Sequence, residues 1–349
     1  MGVLDTIIDS AHAAGASDVH IASGLPVRYR IDGTLRDAND RVLDPADCEQ
    51  LAQEAAGDLY DQVASQGELD LAATLAGVRC RLNLYRAQGN ACIAIRLLAD
   101  SIPPLASLGL PPAVADFPRL RKGIVLVTGE TGSGKSTTLA ALLDQINRTR
   151  GVHIITLEDP IEYLYTPDHA SIDQREVGRD TESFASGLRA ILREDPDVIL
   201  VGEMRDTETI SAAVTAAETG HLVFATLHTA SAAESIDRLV DAFPAERQTQ
   251  IRMQLSTTLV AVLSQQLLPA KSGEGRVLVC ELMMVNPAIR NLIREGKTPQ
   301  IANTIATSAD EGSITMDNML VRLVRSGQIS SAVAGDAAHD RDYVMRSVR

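Results

Sequence analysis

The chain has 349 residues, 45% hydrophobic and 22% charged, a globular composition with room for two domains. Its formal net charge is −14, and it has six Tyr, four Phe and no Trp, which argues against a protein that tracks a phosphate backbone or stacks single-stranded bases. Cys48, Cys80, Cys92 and Cys280 form no CxxC pair, so no zinc site or disulfide framework is expected, and reduced thiols suit a cytoplasmic protein. No run of about 18 apolar residues occurs, so no membrane-spanning helix is expected. The acidic N-terminus lacks the basic segment of a secretion signal. Gly2 fits the myristoylation pattern, which is short enough to arise by chance.

Residues 1–100 read as a mixed α/β domain. Asp18–Ile21 and Pro26–Ile31 alternate in the manner of strands, and Asp32-Gly33 supplies a hairpin turn. Residues 45–66 read as helical. A second hairpin follows, Gly77–Arg86 and Ala91–Leu98 around Gln88-Gly89-Asn90. Pro103-Pro104 and Leu110-Pro111-Pro112 mark residues 101–121 as a linker, because proline continues neither a helix nor a central strand. Past residue 122, apolar runs at Ile124–Val127, Ile154–Leu157, Val198–Val201 and Leu222–Leu227 alternate with helical stretches. Their wholly apolar character suits parallel strands covered on both faces, and the alternation predicts an α/β fold with a doubly wound sheet over 122–349.

The strongest motif is Gly129-Glu130-Thr131-Gly132-Ser133-Gly134-Lys135-Ser136, which fits GxxxxGK[ST] between an expected strand and the helix-prone Thr137–Ile146. Glycines let backbone N–H groups approach phosphate oxygens, and the helix start adds partial positive charge. Gly129, Thr131, Gly132, Ser133, Gly134, Lys135, Ser136 and Thr137 are therefore expected to cradle ATP. Lys135 should reach the β- and γ-phosphates, and Ser136 should ligate Mg²⁺. Three other strands also end on reactive groups, at Glu158–Glu162, Glu203–Asp206 and His228. Ligands bind at the carboxyl ends of strands in open α/β sheets, so Glu162, Glu203 and His228 are expected to converge on those phosphates. A carboxylate there can serve a metal ion or the attacking water. Taken singly each is an ordinary turn residue; their recurrence behind a P-loop carries the weight.

These segments stand in the order of the Walker A, Asp box (156–163), Walker B (197–206) and His box (220–229) of the secretion ATPases, and residues 174–181 and 188–196 follow the same pattern. Over nearly its whole length the chain resembles the type II secretion and type IV pilus ATPase family. The resemblance implies a RecA-like P-loop ATPase core with a smaller PAS-like α/β N-terminal domain, assembled as a homohexamer. It implies that Glu162 polarises water, that Glu203 supports Mg²⁺ directly or through water, and that His228 senses the γ-phosphate, with His221 a second candidate. Arg81 and Arg96 match the family's N-terminal arginines that reach the nucleotide in the ring; the plain alternative is a charged strand face.

The chain is short, lacks a four-cysteine zinc motif and carries Ala288-Ile289-Arg290-Asn291-Leu292-Ile293-Arg294-Glu295 complete, so it resembles the retraction branch. That implies an ATP- and Mg²⁺-dependent motor of type IV pilus retraction and twitching motility. It would work in the cytoplasm against an inner-membrane platform protein, peripheral to the membrane, with no nucleic acid partner. An accessory retraction ATPase, a RecA-like nucleic-acid translocase and a nucleotide-regulated scaffold are the alternatives. One departure is Glu130, where the family usually has proline, which puts turnover rate in question. Local signals make the 288–295 string a helix, with Asn286 as cap, Pro287 first and Gly296 ending it. Ile289, Leu292 and Ile293 form one stripe, while Arg290 and Arg294 share another face.

Overall fold

The computed structural model describes residues 2–31, 33–98 and 101–349. They form two units. Unit 1 comprises residues up to Ile102 together with Pro160–Leu164, and unit 2 comprises Pro103–Asp159 and Tyr165–Arg349.

Unit 1 contains α1 (Val3–Ala13), β1 (Asp18–Ile21), β2 (Pro26–Ile31), β3 (Thr34–Val42), α2 (Pro45–Ala56), α3 (Tyr60–Gln66), β4 (Glu68–Leu75), β5 (Val78–Ala87) and β6 (Asn90–Leu97). The strands form one antiparallel sheet in the order β3-β2-β1-β6-β5-β4. Leu4 and Ile8 of α1 and Leu51 of α2 share its core with Leu82, Leu84, Ile93 and Ile95. Alternation puts the remaining side chains of β5 and β6 on the opposite, polar face. Asp32 of the expected first turn lies outside the described residues; Ile31 and Thr34 pair across it. The stretch expected as one helix over 45–66 is broken at Gly57, whose φ of 52° is left-handed. Strand β3 carries few apolar residues in alternation, whereas β4 alternates Leu69, Leu71, Ala73 and Leu75 toward the core, a strand signal that the sequence reading did not use.

Unit 2 contains β7 (Gly123–Thr128), α4 (Lys135–Thr149), β8 (His153–Glu158), β9 (Ser171–Glu176), α5 (Phe184–Ile191), β10 (Val198–Val201), α6 (Thr207–Glu218), β11 (Leu222–Leu227), α7 (Ala232–Asp241), α8 (Ala245–Thr258), β12 (Leu259–Pro269), β13 (Arg276–Met284), α9 (Pro287–Glu295), α10 (Ile301–Thr307), α11 (Met316–Arg325), α12 (Ser331–Ala337) and α13 (Arg341–Ser347). Its sheet runs β13-β12-β7-β11-β10-β8-β9, parallel except for the β12–β13 pair. Every residue of β7, β10 and β11 is buried, as their apolar runs require. Of residues 101–121, read from sequence as linker, those from Pro103 onward group with unit 2. They form 3₁₀ turns at Leu105–Ser107 and Pro112–Arg119 whose Leu105, Val114 and Phe117 are buried. Arg150 pins the second turn by donating to the carbonyls of Pro118 and Leu120.

Helix α9 is built as its sequence proposes. Asn286 Oδ1 accepts from the Ile289 N–H at 2.9 Å, and Gly296 ends the helix at φ 68°. Ile289 and Ile293 are fully buried, worth about 1.5–3 kcal/mol each. That outweighs the ~0.2–0.5 kcal/mol by which like charges at i and i+4 disfavour a helix. The two arginines have separate tasks. Arg290 Nη1 donates to the Ser256 and Thr257 carbonyls, at 3.1 and 3.2 Å, and so caps the end of α8. Arg294 is exposed and donates locally to Asn291 Oδ1, at 2.6 Å.

His153, at the start of β8, ties three segments together. Its Nδ1 faces the carbonyls of Glu194 and Asp195, at 3.1 and 3.2 Å, and its Nε2 faces Asp173 Oδ2 at 2.9 Å. Both nitrogens face acceptors, and only the imidazolium can donate from both. Burial lowers its pKa, but Asp173 and the two carbonyls outweigh that and raise it overall. A raised folded-state pKa contributes stability that is lost as pH rises through it. The stability advantage of wild type over His153→Ala in urea denaturation should therefore be full below about pH 6.5, the ordinary imidazole value, and shrink on going alkaline. An advantage that stays flat from about pH 5.5 to about pH 9 would contradict the doubly donating imidazolium.

Candidate nucleotide site

Strand β7 delivers the chain into the glycine loop. Gly129, Gly132 and Gly134 have φ of 138°, 82° and 92°, values that L side chains rarely adopt. At Gly129 there is also no room: a Cβ would lie 2.3 Å from the Gln265 carbonyl oxygen and 2.6 Å from Ser133 Oγ. Gly134 precedes α4, so the loop runs directly into a helix N-terminus, whose first N–H groups have no partner within the helix. Lys135 is 9% exposed. Its Nζ donates to the carbonyls of Gly129 and Glu130, at 2.7 and 2.9 Å. Ser136 and Glu130 are exposed; Glu130 contributes its backbone to the loop, and its side chain stands at the surface.

The neighbouring strand β12 braces the loop from both sides. Thr128 Oγ1 donates to Ser264 Oγ at 2.9 Å, and Gln265 Nε2 donates to Thr138 Oγ1 at 2.9 Å. The first contact precedes the loop and the second follows it. Among the described residues, Gln265 Oε1 and Ser133 Oγ are buried with no hydrogen-bond partner. Sequence reasoning missed Ser264 and Gln265. Three consecutive polar residues, Ser264, Gln265 and Gln266, within an otherwise apolar strand, Leu259–Leu268, were the signal that could have found them.

Glu203 and His228 come together at the ends of β10 and β11. Glu203 Oε2 pairs with Arg205 Nη2 at 2.7 Å, and its Oε1 lies 3.4 Å from His228 Nε2. Burial alone would raise the Glu203 carboxyl, but Arg205 and His228 together hold it below the ordinary carboxylate range. Each oxygen of the carboxylate thus already faces a basic group. His221 lies at the other end of β11, where its Nδ1 meets the Ala216 carbonyl at 2.8 Å.

Glu162, Arg81 and Arg96 belong to unit 1. Glu162 sits on Pro160–Leu164, which is fastened by Arg79: its Nε and Nη2 donate to the Ile161 carbonyl at 3.0 and 2.9 Å. Arg81 and Arg96 are exposed and stand directly opposite each other in the β5–β6 register. With Asp18, His20, Asp70 and Asn83 they line an open concavity of about 210 Å³ on the polar sheet face. Arg96 Nε bonds Asp18 Oδ1 at 3.0 Å. Burial would raise Asp18, yet Ser17 and Arg96 bring it below its usual value; burial and Arg30 lower the pKa of His20.

Residues 1–330 match the family described as type II/IV secretion system protein. The chain belongs to that family. It is 46% identical over 329 residues to the type IV pilus retraction ATPase PilT of Pseudomonas aeruginosa, covering 93% of this chain and 94% of that protein. It is equally, 46%, identical over 330 residues to YggR of Escherichia coli K12, covering 93% of this chain and 99% of that one. A crystal structure of the pilus retraction motor PilT with bound ADP superposes with a TM-score of 0.92 at 44% identity, covering 99% of both chains. Unit 2 is thus the RecA-like core of a secretion-family ATPase, and unit 1 is its N-terminal domain.

The crowding at Gly129 gives a direct test of the loop. Gly129→Ala should destabilise the protein by about 1–3 kcal/mol, from overpacking at a left-handed position, and weaken binding of a fluorescent ATP analogue. Wild-type stability and affinity together would show that the loop is not built this tightly.

Proposed function

We propose that the chain is an ATP-driven motor of type IV pilus retraction, working as a homohexamer. The observation that carries this reading is the near full-length match to PilT, including a complete 288–295 helix whose Arg294 is exposed on the surface. In this reading Lys135 trades its carbonyl partners for the β- and γ-phosphates, and the loop N–H groups and the start of α4 hold the remaining oxygens. A glycine cradle that a Cβ would fill, a buried lysine and an exposed Ser136 fit a nucleotide with its Mg²⁺. The ion would neutralise phosphate charge when bound, and Ser136 and Glu203 would hold it. Among the described residues no group of three or more His, Cys, Asp or Glu gathers as a metal site, so the nucleotide's own oxygens supply part of the coordination. Since Arg205 and His228 already occupy both Glu203 oxygens, contact through water suits Glu203 better than direct ligation. Glu162 would polarise the attacking water, and His228 would read the γ-phosphate. Arg81 and Arg96 would reach a nucleotide in the ring.

Among the described residues no helix is long and apolar enough to cross a membrane. In this reading the motor works on the cytoplasmic face of the inner membrane and meets it through a platform protein. The net charge of −14 disfavours a nucleic-acid track.

The proposal is tested both in vitro and in cells. Lys135→Ala should leave a folded protein with hydrolysis abolished, and wild-type activity should not rise with added DNA. Activity retained within about threefold in the mutant, under 1 kcal/mol by rate arithmetic, would refute the site, and strong DNA stimulation would favour a translocase. In cells, deletion of the gene should give hyperpiliated, non-twitching bacteria. Arg294→Ala should reproduce the loss of twitching with ATPase activity within about twofold of wild type, because its side chain packs against no core. Bald cells on deletion would point to assembly instead.

A further inference from the structure

One buried ionisable group has no part in the chemistry above. Glu281, on β13, is 4% exposed. Its Oε1 accepts the N–H of Ala232, the first residue of α7, at 2.9 Å. The start of α11 also faces it, and the N–H of Met316 lowers its pKa. A carboxylate there meets the positive ends of two helix dipoles and satisfies an otherwise unpaired donor of α7. Burial raises the Glu281 carboxyl, and the two N–H groups act against that rise.

Two structural links lead from Glu281 to the nucleotide site. The first runs along the chain, since α7 begins four residues after His228. The connecting residues are fixed by its first turn: Ser231 Oγ accepts from the Glu234 N–H, and Thr229 Oγ1 bonds Ser235 Oγ at 2.7 Å. The second runs across the sheet. Leu227 of β11, Thr128 of β7, Ser264 of β12 and Glu281 of β13 stand in register as one row. Leu227 immediately precedes His228, and Thr128 immediately precedes Gly129.

We infer that Glu281 is a positioning residue: by pinning the start of α7 to β13 it sets where His228 stands relative to the P-loop, and through α11 it ties that placement to the C-terminal helices. The inference rests on the role proposed for His228. A purely structural staple would cost stability without selecting a kinetic constant.

The test is a double-mutant cycle on the full chain. Glu281→Gln keeps the size of the side chain but replaces the carboxylate with a neutral amide, which weakens its hold on the helix starts. It should lower kcat for ATP hydrolysis by roughly 10- to 100-fold, the cost of a misplaced group, with KM for ATP changed by less than about twofold because the P-loop is untouched. In a His228→Ala background it should cost nothing more. Wild-type kcat with a lowered Tm, or the same fold-loss in both backgrounds, would overturn the inference. If His228→Ala alone kept full kcat, the reading of the site would fail and the inference with it. Loss in His228→Ala with full activity in Glu281→Gln would sink the inference alone. If Glu281→Gln does not fold, Thr315→Ala serves instead. It removes the cap that Thr315 Oγ1 gives to the Asn318 N–H at 3.2 Å, loosens α11 and leaves Glu281 in place. A smaller loss confined to kcat, absent in His228→Ala, is expected, and an unchanged kcat counts against the inference.

Discussion

A parallel strand buried on both faces leaves little place for a charge along its length, because an unpaired polar group there costs several kcal/mol. Strands β7, β11 and β10, and β8 along Ile154–Leu157, are of this kind, and the reactive residues of the site are accordingly pushed to one edge. Thr128, Val201 and Leu227 close their strands, and Gly129, Glu203 and His228 stand just beyond. The site in unit 2 is therefore a consequence of how the core is covered. Once β7 is fully buried, the chain must turn at its carboxyl end, and only a residue without a Cβ fits between the Gln265 carbonyl and Ser133.

The charges at that edge are held in two different ways. Glu203 is matched by Arg205 and His228, so it is fixed and largely neutralised. Lys135 donates to two neutral carbonyls, which place the ammonium. A phosphate adds a Coulomb attraction that a neutral carbonyl lacks, so it can take Lys135 from those carbonyls. The same asymmetry makes Glu203 a poor candidate for rearrangement.

Much of this was legible in the sequence because it is local. Strands β7, β8, β10 and β11 are built on continuous apolar runs, the P-loop is contiguous, and the Asn286, Pro287 and Gly296 signals that bound α9 are all present in the chain order. What escaped is what depends on distant partners. Strands β12 and β13 mix polar with apolar residues because Ser264, Gln265 and Glu281 answer groups more than 40 residues away in sequence. The prolines of 103–121 forbid helix and central strand, yet they do not forbid 3₁₀ turns, and Val114 and Phe117 give those turns an apolar surface to bury. Glu162 follows β8 by four residues, but Pro160 ends the strand pattern and Arg79 claims the backbone at Ile161, which the sequence does not disclose.

The cap that Arg290 places on α8 has a mechanical meaning. Helix α8 ends at Thr258 and β12 begins at Leu259, with no loop between them. Gly123, which opens β7, fits so closely against this junction that a Cβ would lie 2.5 Å from Val260 and 2.9 Å from the Thr258 carbonyl oxygen. Helix α9 has its footing on the last carbonyls of α8, so a load applied to α9 is delivered to a stiff corner that abuts the root of the P-loop strand. The joint transmits a push in either direction along a path containing no slack segment.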